Sequence, residues 1–264
     1  MNRSTGSLAA AILTIATAPA LAQWLNIPTS SIPRTKDGKP DLAAPTPRKP
    51  DGKPDLSGIW QLDRDSAKYL TNLAADFKPG ELPIQPWAEA LTKERMTGTH
   101  DGEYTSVHCL PPGIPILDAS GGGGYPLKIV QELELVVILY ETQWQFRQIF
   151  LDGRTLPKDP NPTWLGYSAG RWDGDVLVVD TTGFNGQTWL DNRAGHPTTD
   201  ALHVTERFRR RDYGHLDLTL TIDDPKAYTK PWTVTETMQI SPDNELLEFV
   251  CNENEKDLKH MVDK

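Results

Sequence analysis

The segment GHPTTDALHVTERFRRRDYGHLDLTLTIDDP, residues 195–225, decides the fold. Within it, residues 201–210 and 215–223 alternate between apolar and polar side chains, a pattern typical of β-strands. Asp212-Tyr213-Gly214 lies between the two runs and predicts a three-residue hairpin loop, with Gly214 in the left-handed conformation that glycine adopts readily. The two runs are therefore predicted to form an antiparallel hairpin.

The length of this loop sets the register of the hairpin, which pairs Arg211 with His215 and Phe208 with Leu218. One face of the hairpin is then apolar except for one carboxylate, and it consists of Val204, Glu206, Phe208, Leu218, Leu220 and Ile222. The opposite face is polar, and it consists of His203, Thr205, Arg207, Arg209, Asp217, Thr219 and Thr221.

A second carboxylate on an apolar face follows in the strand predicted at residues 232–240, where Glu236 lies between Val234 and Met238. A carboxylate in such a place is costly unless it is paired, and desolvation disfavours its charged form. Glu206 and Glu236 on nearby strands therefore fit a general acid/base pair inside a barrel. The structural alternative is that both carboxylates pair with arginines, or that the face is only half-buried.

An acid/base enzyme is one function that this segment supports. It holds three of the six histidines in the chain: His196, His203 and His215. One of them, together with Glu206, would move protons, while Arg207 or Arg209 would stabilise a developing anion. Hydrolase, lyase and isomerase chemistry all fit this set of groups. The alternative for the histidines is a structural role in turns and caps.

A divalent metal is a further alternative, because His196, Asp200, His203 and Glu206 are residue types that bind metals. Their spacing matches no metal-binding signature, and strand alternation places His203 and Glu206 on opposite faces. No other cofactor is predicted.

A non-catalytic binding protein is the alternative from a different functional class. Eight tryptophans and amphipathic strands are compatible with a cavity for a small apolar or aromatic molecule. The candidate ligand-binding residues are Trp60, Trp172, Trp232 and Asp200. The structural alternative is that the tryptophans belong to the core.

The first 22 residues have the pattern of a secretory signal peptide. Arg3 precedes an apolar run at residues 8–18, and Ala20-Leu21-Ala22 predicts cleavage before Gln23. The apolar run is too short to span a membrane. The mature protein is therefore predicted to be exported, to the periplasm or the extracellular space, and its oligomeric state is left open.

Removal of residues 1–22 takes away one charged side chain, Arg3, and changes the net charge from −9 to −10. An acidic protein of this kind is a poor partner for nucleic acid or for an anionic membrane surface. The predicted partner is a small-molecule ligand or substrate.

The chain has two cysteines, Cys109 and Cys251. In an oxidising compartment, a lone pair far apart in sequence predicts one disulfide. The functional alternative is that Cys109, next to His108, is a thiol nucleophile or a metal ligand.

Residues 23–55 are rich in Pro, Lys and Asp and contain an internal repeat. The sequence PRTKDGKPDL at 33–42 recurs as PRKPDGKPDL at 47–56, with eight of ten positions identical. Such a composition cannot bury a core by itself, so we expect a partly disordered arm that lies against the domain. Residues 23–50 are predicted to be dispensable for folding.

The rest of the chain, residues 56–264, is predicted to be a single β-domain. A helix is predicted at 86–96, where Pro86 occupies the first turn, and the glycines at 121–124 indicate a flexible segment at a cavity mouth. Besides a strand at Trp60, strands are predicted at 129–141, 143–151, 166–172, 175–182, 202–211, 215–223, 232–240 and 245–252. No helical pattern separates them, which favours an antiparallel barrel or a strongly curved sheet, with a sandwich as the alternative.

Two resemblances add to this interpretation. The sequences DGKPDLSGIW (51–60), GRWDGDVLVVDTTGF (170–184) and GHPTTDALHVTERFRR (195–210) resemble a large family of exported bacterial proteins usually labelled hypothetical. That resemblance covers nearly the whole mature chain and implies export, but no established activity. Gly58-x-Trp60 and the strand series resemble lipocalin-like barrels, which implies that Trp60 closes one end of a barrel.

Overall fold

The computed structural model describes residues 31–120 and 124–253, in which nine β-strands close into one barrel. The strands follow one another around the barrel in sequence order, and the last pairs with the first. Their bounds are β1 Gly58–Leu62, β2 Leu127–Gln131, β3 Leu135–Tyr140, β4 Phe146–Phe150, β5 Tyr167–Asp173, β6 Val176–Thr182, β7 His203–Arg210, β8 His215–Asp223 and β9 Trp232–Ile240. The predicted β-barrel is thus confirmed over the alternative of a sandwich.

Short helices lie between β1 and β2 and next to β3. They are α1 Lys68–Thr71, α2 Pro86–Arg95 and α3 Ile116–Ser120, with 3₁₀ turns at Asp101–Glu103, Thr105–His108 and Thr142–Trp144. Helix α2 confirms the predicted helix, and it begins at Pro86. Proline is well suited to this position, because the N–H groups of a first turn have no acceptor within the helix. None of the helices within the described ranges is long and apolar enough to cross a membrane.

Some of the predictions concern residues outside these ranges, among them residues 23–30 of the predicted arm. The predicted signal peptide, residues 1–22, lies outside the described residues. So do residues 121–123, which make up most of the glycine run that was predicted to lie at a cavity mouth.

The barrel differs from the predicted antiparallel order at one seam. Strands β4 and β5 run parallel and pair only through Ile149 with Ser168 and Phe150 with Ala169. The connection at residues 151–166 returns to the end of the barrel at which β4 begins and enters β5 from there, instead of turning back directly beside β4. This seam is therefore short, and it leaves part of β4 without a neighbour on that side.

One predicted strand is divided into two, and another is not formed. The segment predicted as one strand at 129–141 is divided into β2 and β3, because the backbone N–H of Glu132 closes a turn on the carbonyl of Leu135. The segment predicted as a strand at 245–252 does not form one. Cys251 in that segment is instead bonded to Cys109, which confirms the predicted disulfide.

The central hairpin has the predicted register, with Phe208 opposite Leu218, and Arg211 donates its N–H to the carbonyl of His215. The predicted faces are also correct, since burial alternates along both β7 and β8. Full burial of each leucine on this inner face contributes about 1.5–3 kcal/mol. The left-handed conformation predicted for Gly214 is wrong, because Gly214 is not among the residues with positive φ.

A glycine is needed at Gly214 for a different reason. Its N–H donates to the carbonyl of Leu42 at 2.8 Å, so the arm passes directly over the hairpin loop. A Cβ atom at Gly214 would lie 2.5 Å from the Cβ of Leu42 and 2.8 Å from its carbonyl oxygen. The neighbouring N–H of Tyr213 donates to Ala44 at 2.7 Å.

The repeat in the arm forms two copies of one small turn. In the first copy Arg34 bridges to Pro40, and in the second Arg48 bridges to Pro54. Each arginine also donates to a glycine carbonyl inside its own turn, that of Gly38 at 3.1 Å in the first copy and that of Gly52 at 2.8 Å in the second.

Each of these arginines also forms an ion pair with the barrel. Arg34 pairs with Asp243 and Arg48 with Asp175, both at 2.7 Å. The arm therefore lies against the domain, as predicted. Its described part, from residue 31 onward, contacts three turns of the barrel. These contacts argue against the prediction that residues 23–50 are dispensable for folding.

Trp60 is fully buried near the end of the barrel where the arm enters. Its Nε1 donates to the carbonyl of Leu56 at 2.9 Å, and the guanidinium of Arg210 lies over its ring at 4.9 Å. Arg210 in turn donates to the carbonyls of Asp55 and Tyr213. The tryptophan is thus held by one arginine that also joins the arm to the hairpin loop.

Candidate functional site

A charged cluster lies in the interior of the barrel, where apolar side chains would be expected. It combines residues from helix α3 and four strands, all of them buried: Asp118, Arg147, Ser168, Thr181 and Glu206. The strand alternation brings them together, because each of the four strand residues occupies an inward position.

Arg147 is the centre of this cluster, and all five of its N–H groups donate hydrogen bonds. Nε donates to Ser168 at 3.0 Å, Nη1 to Asp118 and to Glu206 at 3.0 Å, and Nη2 to Thr181 at 2.7 Å and to Glu206. The bond to Glu206 is therefore bidentate, which is the strong geometry for a guanidinium and a carboxylate. No donor of Arg147 is left for another group.

Asp118 accepts a second hydrogen bond, from the hydroxyl of Tyr140 at 2.5 Å. Burial raises the pKa of Asp118 to about 8, against the opposing effect of the Arg147 charge and with a further increase from Glu206. Burial also raises the pKa of Tyr140 well above its ordinary value. Asp118 and Tyr140 therefore hold their protons more tightly than exposed groups of the same kinds.

Glu236 on β9 also points into the barrel and is almost completely buried. Neither of its carboxyl oxygens has a hydrogen-bond partner among the described residues. Burial raises its pKa well above the ordinary value, and the nearby carboxyl groups of Asp118, Asp63 and Glu206 act in the same direction. Burial without a hydrogen-bond partner therefore favours the neutral, protonated form of Glu236.

The two carboxylates predicted from the sequence do face the interior, as alternation indicated. The structural alternative holds for Glu206, whose arginine partner is Arg147. Glu236 has no arginine partner in the part of the chain that the structure describes. Arg147 was missed, although the alternation of FRQIF in β4 places it on the same face as the fully buried Ile149.

An open groove of about 640 Å³ adjoins the cluster at the parallel seam. It lies between β4, β5 and the connection between them, and both Arg147 and Ser168 form part of its wall. Most of the remaining wall is aromatic or aliphatic and includes Phe146, Phe150, Leu156, Trp164, Leu165 and Tyr167. The Oγ1 atom of Thr163, another lining residue, is buried and has no partner within the described ranges.

The structure does not bring the predicted histidines to the cluster. His203 lies on the outer face of β7 and contacts Asp180 at 3.1 Å, while His215 contacts Asp212 at 2.8 Å beside the hairpin loop. Arg207 also faces outward. It pairs with Asp173 at 2.9 Å. His196 lies in the connection between β6 and β7 and contacts Asp191 there.

The predicted ligand-binding residues lie at four separate places. Trp60 is in the core, Trp172 is partly buried against the core beneath Lys53 of the arm, and Trp232 packs at 5.7 Å against Phe77. Asp200 is exposed and pairs with Lys226. None of the four lines the groove beside the cluster.

The proposed metal ligands His196, Asp200, His203 and Glu206 are likewise separated, each with a different partner. Within residues 31–120 and 124–253, no group of three His, Cys, Asp or Glu side chains has an arrangement suited to a metal ion.

Fold and site together define a closed β-barrel with a charged cluster in its interior and a groove on its wall. No protein-family model matches the chain, and no curated protein matches it. Among solved structures, the chain is similar to the crystal structure of a mutant of the fluorescent protein UnaG. The identity is 12% and the TM-score 0.30, over 70% of this chain and 96% of that one.

Proposed function

We propose that this protein is an exported β-barrel that binds a small, uncharged, largely aromatic molecule in the groove between β4 and β5. The observation that carries the proposal is the groove itself, which opens at the parallel seam between β4 and β5 and ends at the buried cluster. Its volume of about 640 Å³ lies within the range of small-molecule sites.

The apolar part of the wall supports an aromatic ligand. Phe146 is 60% exposed, although a phenylalanine is normally buried, and Tyr167 of β5 lines the same groove. An aromatic ring placed between such side chains gains contact area and favourable ring geometry.

The polar part of the wall supports a neutral ligand. Arg147 has no free N–H donor, and Arg154 at the rim is paired with Asp152 in a bidentate ion pair. The positive charge of each of these two arginines is therefore already balanced by a carboxylate, which favours a neutral ligand over an anion. The unpartnered hydroxyl of Thr163 instead suits one neutral hydrogen-bonding group on the ligand.

Binding is favoured over acid/base catalysis by Glu206. That carboxylate is engaged by Arg147 through both oxygens, and the cluster contains no histidine to exchange a proton with it. The charged cluster then has the role of a rigid inner wall, since its members hold one another in place across four strands and a helix.

Export and family membership belong to the same proposal. The disulfide between Cys109 and Cys251 supports an oxidising compartment, because disulfides rarely persist in the cytosol. The motifs in the arm, at β5–β6 and in the hairpin support membership of the family of exported bacterial proteins that they resemble.

The proposal is tested with a neutral aromatic dye, N-phenyl-1-naphthylamine, whose fluorescence rises in apolar surroundings. The mature protein is expected to bind the dye saturably. Phe146→Ala removes part of the groove wall and should weaken binding about tenfold or more, which corresponds to about 1.4 kcal/mol or more.

The matched control is Trp144→Ala. Trp144 is equally exposed, at 59%, and lies two positions before Phe146 without lining the groove. Its loss should leave dye binding unchanged. Equal binding by the wild type and Phe146→Ala would count against the groove as the ligand site.

A further inference from the structure

A second arrangement of functional groups lies away from the cluster, in the connection between β6 and β7. There the Nδ1 atom of His196 lies 2.6 Å from the Oδ2 atom of Asp191, and both side chains are buried. A carboxylate can only accept, so Nδ1 donates the hydrogen and the neutral ring keeps its lone pair on Nε2. Nε2 has no hydrogen-bond partner among the described residues.

The orientation of Asp191 is strongly fixed. Its Oδ1 accepts the N–H of Gly195 at 2.6 Å, and its Oδ2 accepts the N–H of Leu73 at 2.9 Å, from the segment after α1. A carboxylate held by backbone groups from two segments cannot rotate freely, and it therefore fixes the plane of the His196 ring.

The loop that carries His196 is also fixed against helix α2. The guanidinium of Arg95 donates to the carbonyl of Gly195 at 2.8 Å and lies over the ring of Trp189 at 4.2 Å. Gly195 allows this close approach, because a Cβ atom there would lie 2.7 Å from Arg95 Cδ. The backbone next to His196 is thus part of a rigid unit with the helix.

His196 lines a cleft of about 400 Å³ between α2 and residues 72–84. Apolar side chains in its wall include Phe77, Leu82 and Ile84. Thr92 on α2 also lines the cleft, and it is only 7% exposed. Its hydroxyl oxygen, Oγ1, has no hydrogen-bond partner within the described residues. A fixed imidazole and an unpartnered hydroxyl therefore share one partly apolar cleft.

We propose that this cleft is a hydrolytic site for small esters with an apolar acyl group, separate from the groove between β4 and β5. His196 Nε2 takes a proton from a water molecule, and the water oxygen forms a bond to the ester carbonyl carbon. The hydroxyl of Thr92 donates to the oxyanion that develops on the carbonyl oxygen. The ester C–O bond then breaks, the proton on Nε2 passes to the leaving alkoxide, and an acid and an alcohol are released.

In this scheme His196 and Thr92 are catalytic residues, because they touch the reacting atoms. Asp191 is a positioning residue that keeps Nδ1 protonated and the ring in place. The apolar wall selects the acyl group. Because water, and not a side chain of the protein, attacks the ester, no acyl-enzyme accumulates.

The test is the turnover of p-nitrophenyl butyrate by the mature protein. The wild type is expected to show saturation and to exceed the rate given by an equal concentration of free imidazole. His196→Asn keeps a donor for Asp191 but has no base, so its kcat should fall about 100-fold, which is within the range of general-base contributions. Asp191→Asn should lower kcat as well, with KM nearly unchanged.

Thr92→Val is the most informative variant, because it replaces an unpartnered buried hydroxyl by a methyl group of the same shape and should not lower stability. Loss of an oxyanion donor predicts a kcat about 100-fold lower with KM unchanged. A merely structural threonine would leave both constants unchanged. If His196→Asn fails to fold, the kcat of Thr92→Val still decides the proposal.

The matched control is His203→Asn, which removes an accessible imidazole that also contacts an aspartate, Asp180. Its turnover should equal that of the wild type. The proposal is overturned if turnover is unsaturable, if it does not exceed that of free imidazole, or if His203→Asn loses as much activity as His196→Asn. It is equally overturned if Thr92→Val keeps the wild-type kcat.

Discussion

Arg147 and Glu206 form a bidentate ion pair inside the barrel, and neither side chain exposes more than 2% of its surface. A buried pair of this kind is not by itself a strong source of stability, because the desolvation of two charges offsets their attraction. Removal of only one of the two charged side chains is costly, however, because the remaining charge stays buried without its partner.

Glu206→Gln is therefore expected to destabilise the protein by about 3–5 kcal/mol, since it leaves the Arg147 guanidinium with one carboxyl partner, Asp118. Chemical denaturation followed by tryptophan fluorescence measures this change. The double variant Arg147→Met, Glu206→Leu should lose less than the sum of the two single variants, because it removes both charges together.

The control for this prediction is Asp173→Asn, which breaks the exposed ion pair with Arg207. Exposed pairs contribute about 0–1 kcal/mol, so the control should change stability only slightly. A Glu206→Gln variant that is as stable as the control would show that the buried pair does not hold the barrel interior together.

The pH dependence of stability should reflect Glu236. Its folded-state pKa is raised well above the ordinary 4.5, first by burial and then by neighbouring carboxyl groups. The unfolded chain therefore releases this proton at lower pH than the folded protein does. The contribution of Glu236 to stability is complete below about pH 4.5 and is lost as pH rises through the folded-state pKa.

Glu236→Gln has nearly the same shape and does not titrate. We expect this variant to be more stable than the wild type at neutral pH, and the fall of its unfolding free energy from pH 5 to pH 8 to be shallower. Some slope should remain, because the pKa of Asp118 is also raised, to about 8. Urea denaturation at a series of pH values measures both effects.

Glu245→Gln serves as the control, since Glu245 forms an exposed ion pair with Lys128. That variant should keep the wild-type slope. Parallel curves for the wild type and Glu236→Gln would mean that Glu236 titrates alike in the folded and unfolded chains.

Alternation along the chain was sufficient to predict the faces of the strands. Glu206 and Phe208 were placed inward correctly because a period of two leaves a paired strand only two choices, and apolar neighbours decide between them. The partner of Glu206 could not be predicted in the same way. Arg147 lies 59 residues earlier in the chain, and its position opposite Glu206 depends on closure of the whole barrel.

Short or ambiguous signals account for the remaining differences. Helix α3, which carries Asp118, has five residues and is too short to show a helical period. A glycine in a hairpin loop has two physical explanations, a left-handed backbone or a close approach by another segment. The sequence favoured the first for Gly214, whereas the contact with Leu42 requires the second.

The disulfide between Cys109 and Cys251 joins residues 142 positions apart and ties the last described segment to the 3₁₀ turn at Thr105–His108. In the chain-entropy model, its removal costs about 4–5 kcal/mol. The double variant Cys109→Ser, Cys251→Ser should therefore melt at a lower temperature. Thiol titration of the unfolded, unreduced wild type should find no free thiol, and two free thiols would contradict the pairing.

Gly214→Ala is predicted to destabilise the protein through the arm alone. The φ angle of Gly214 is not in the positive range, so alanine has no backbone strain there. Its Cβ would however meet Leu42 at 2.5 Å, and the arm would have to move off the hairpin loop. The expected cost is about 1–3 kcal/mol in the full mature chain, as for other overpacked contacts.

The same substitution in a chain that begins at residue 49 tests the cause. This shorter chain lacks Leu42 and the ion pairs of Arg34 and Arg48, so it should melt at a lower temperature than the full chain. It should still melt cooperatively, because all nine strands lie beyond residue 57. In it, Gly214→Ala should change stability by only a few tenths of a kcal/mol, since nothing then lies over the loop. An equal loss in both chains would place the cause within the hairpin, and no loss in either would show that the arm does not dock on Gly214 in solution.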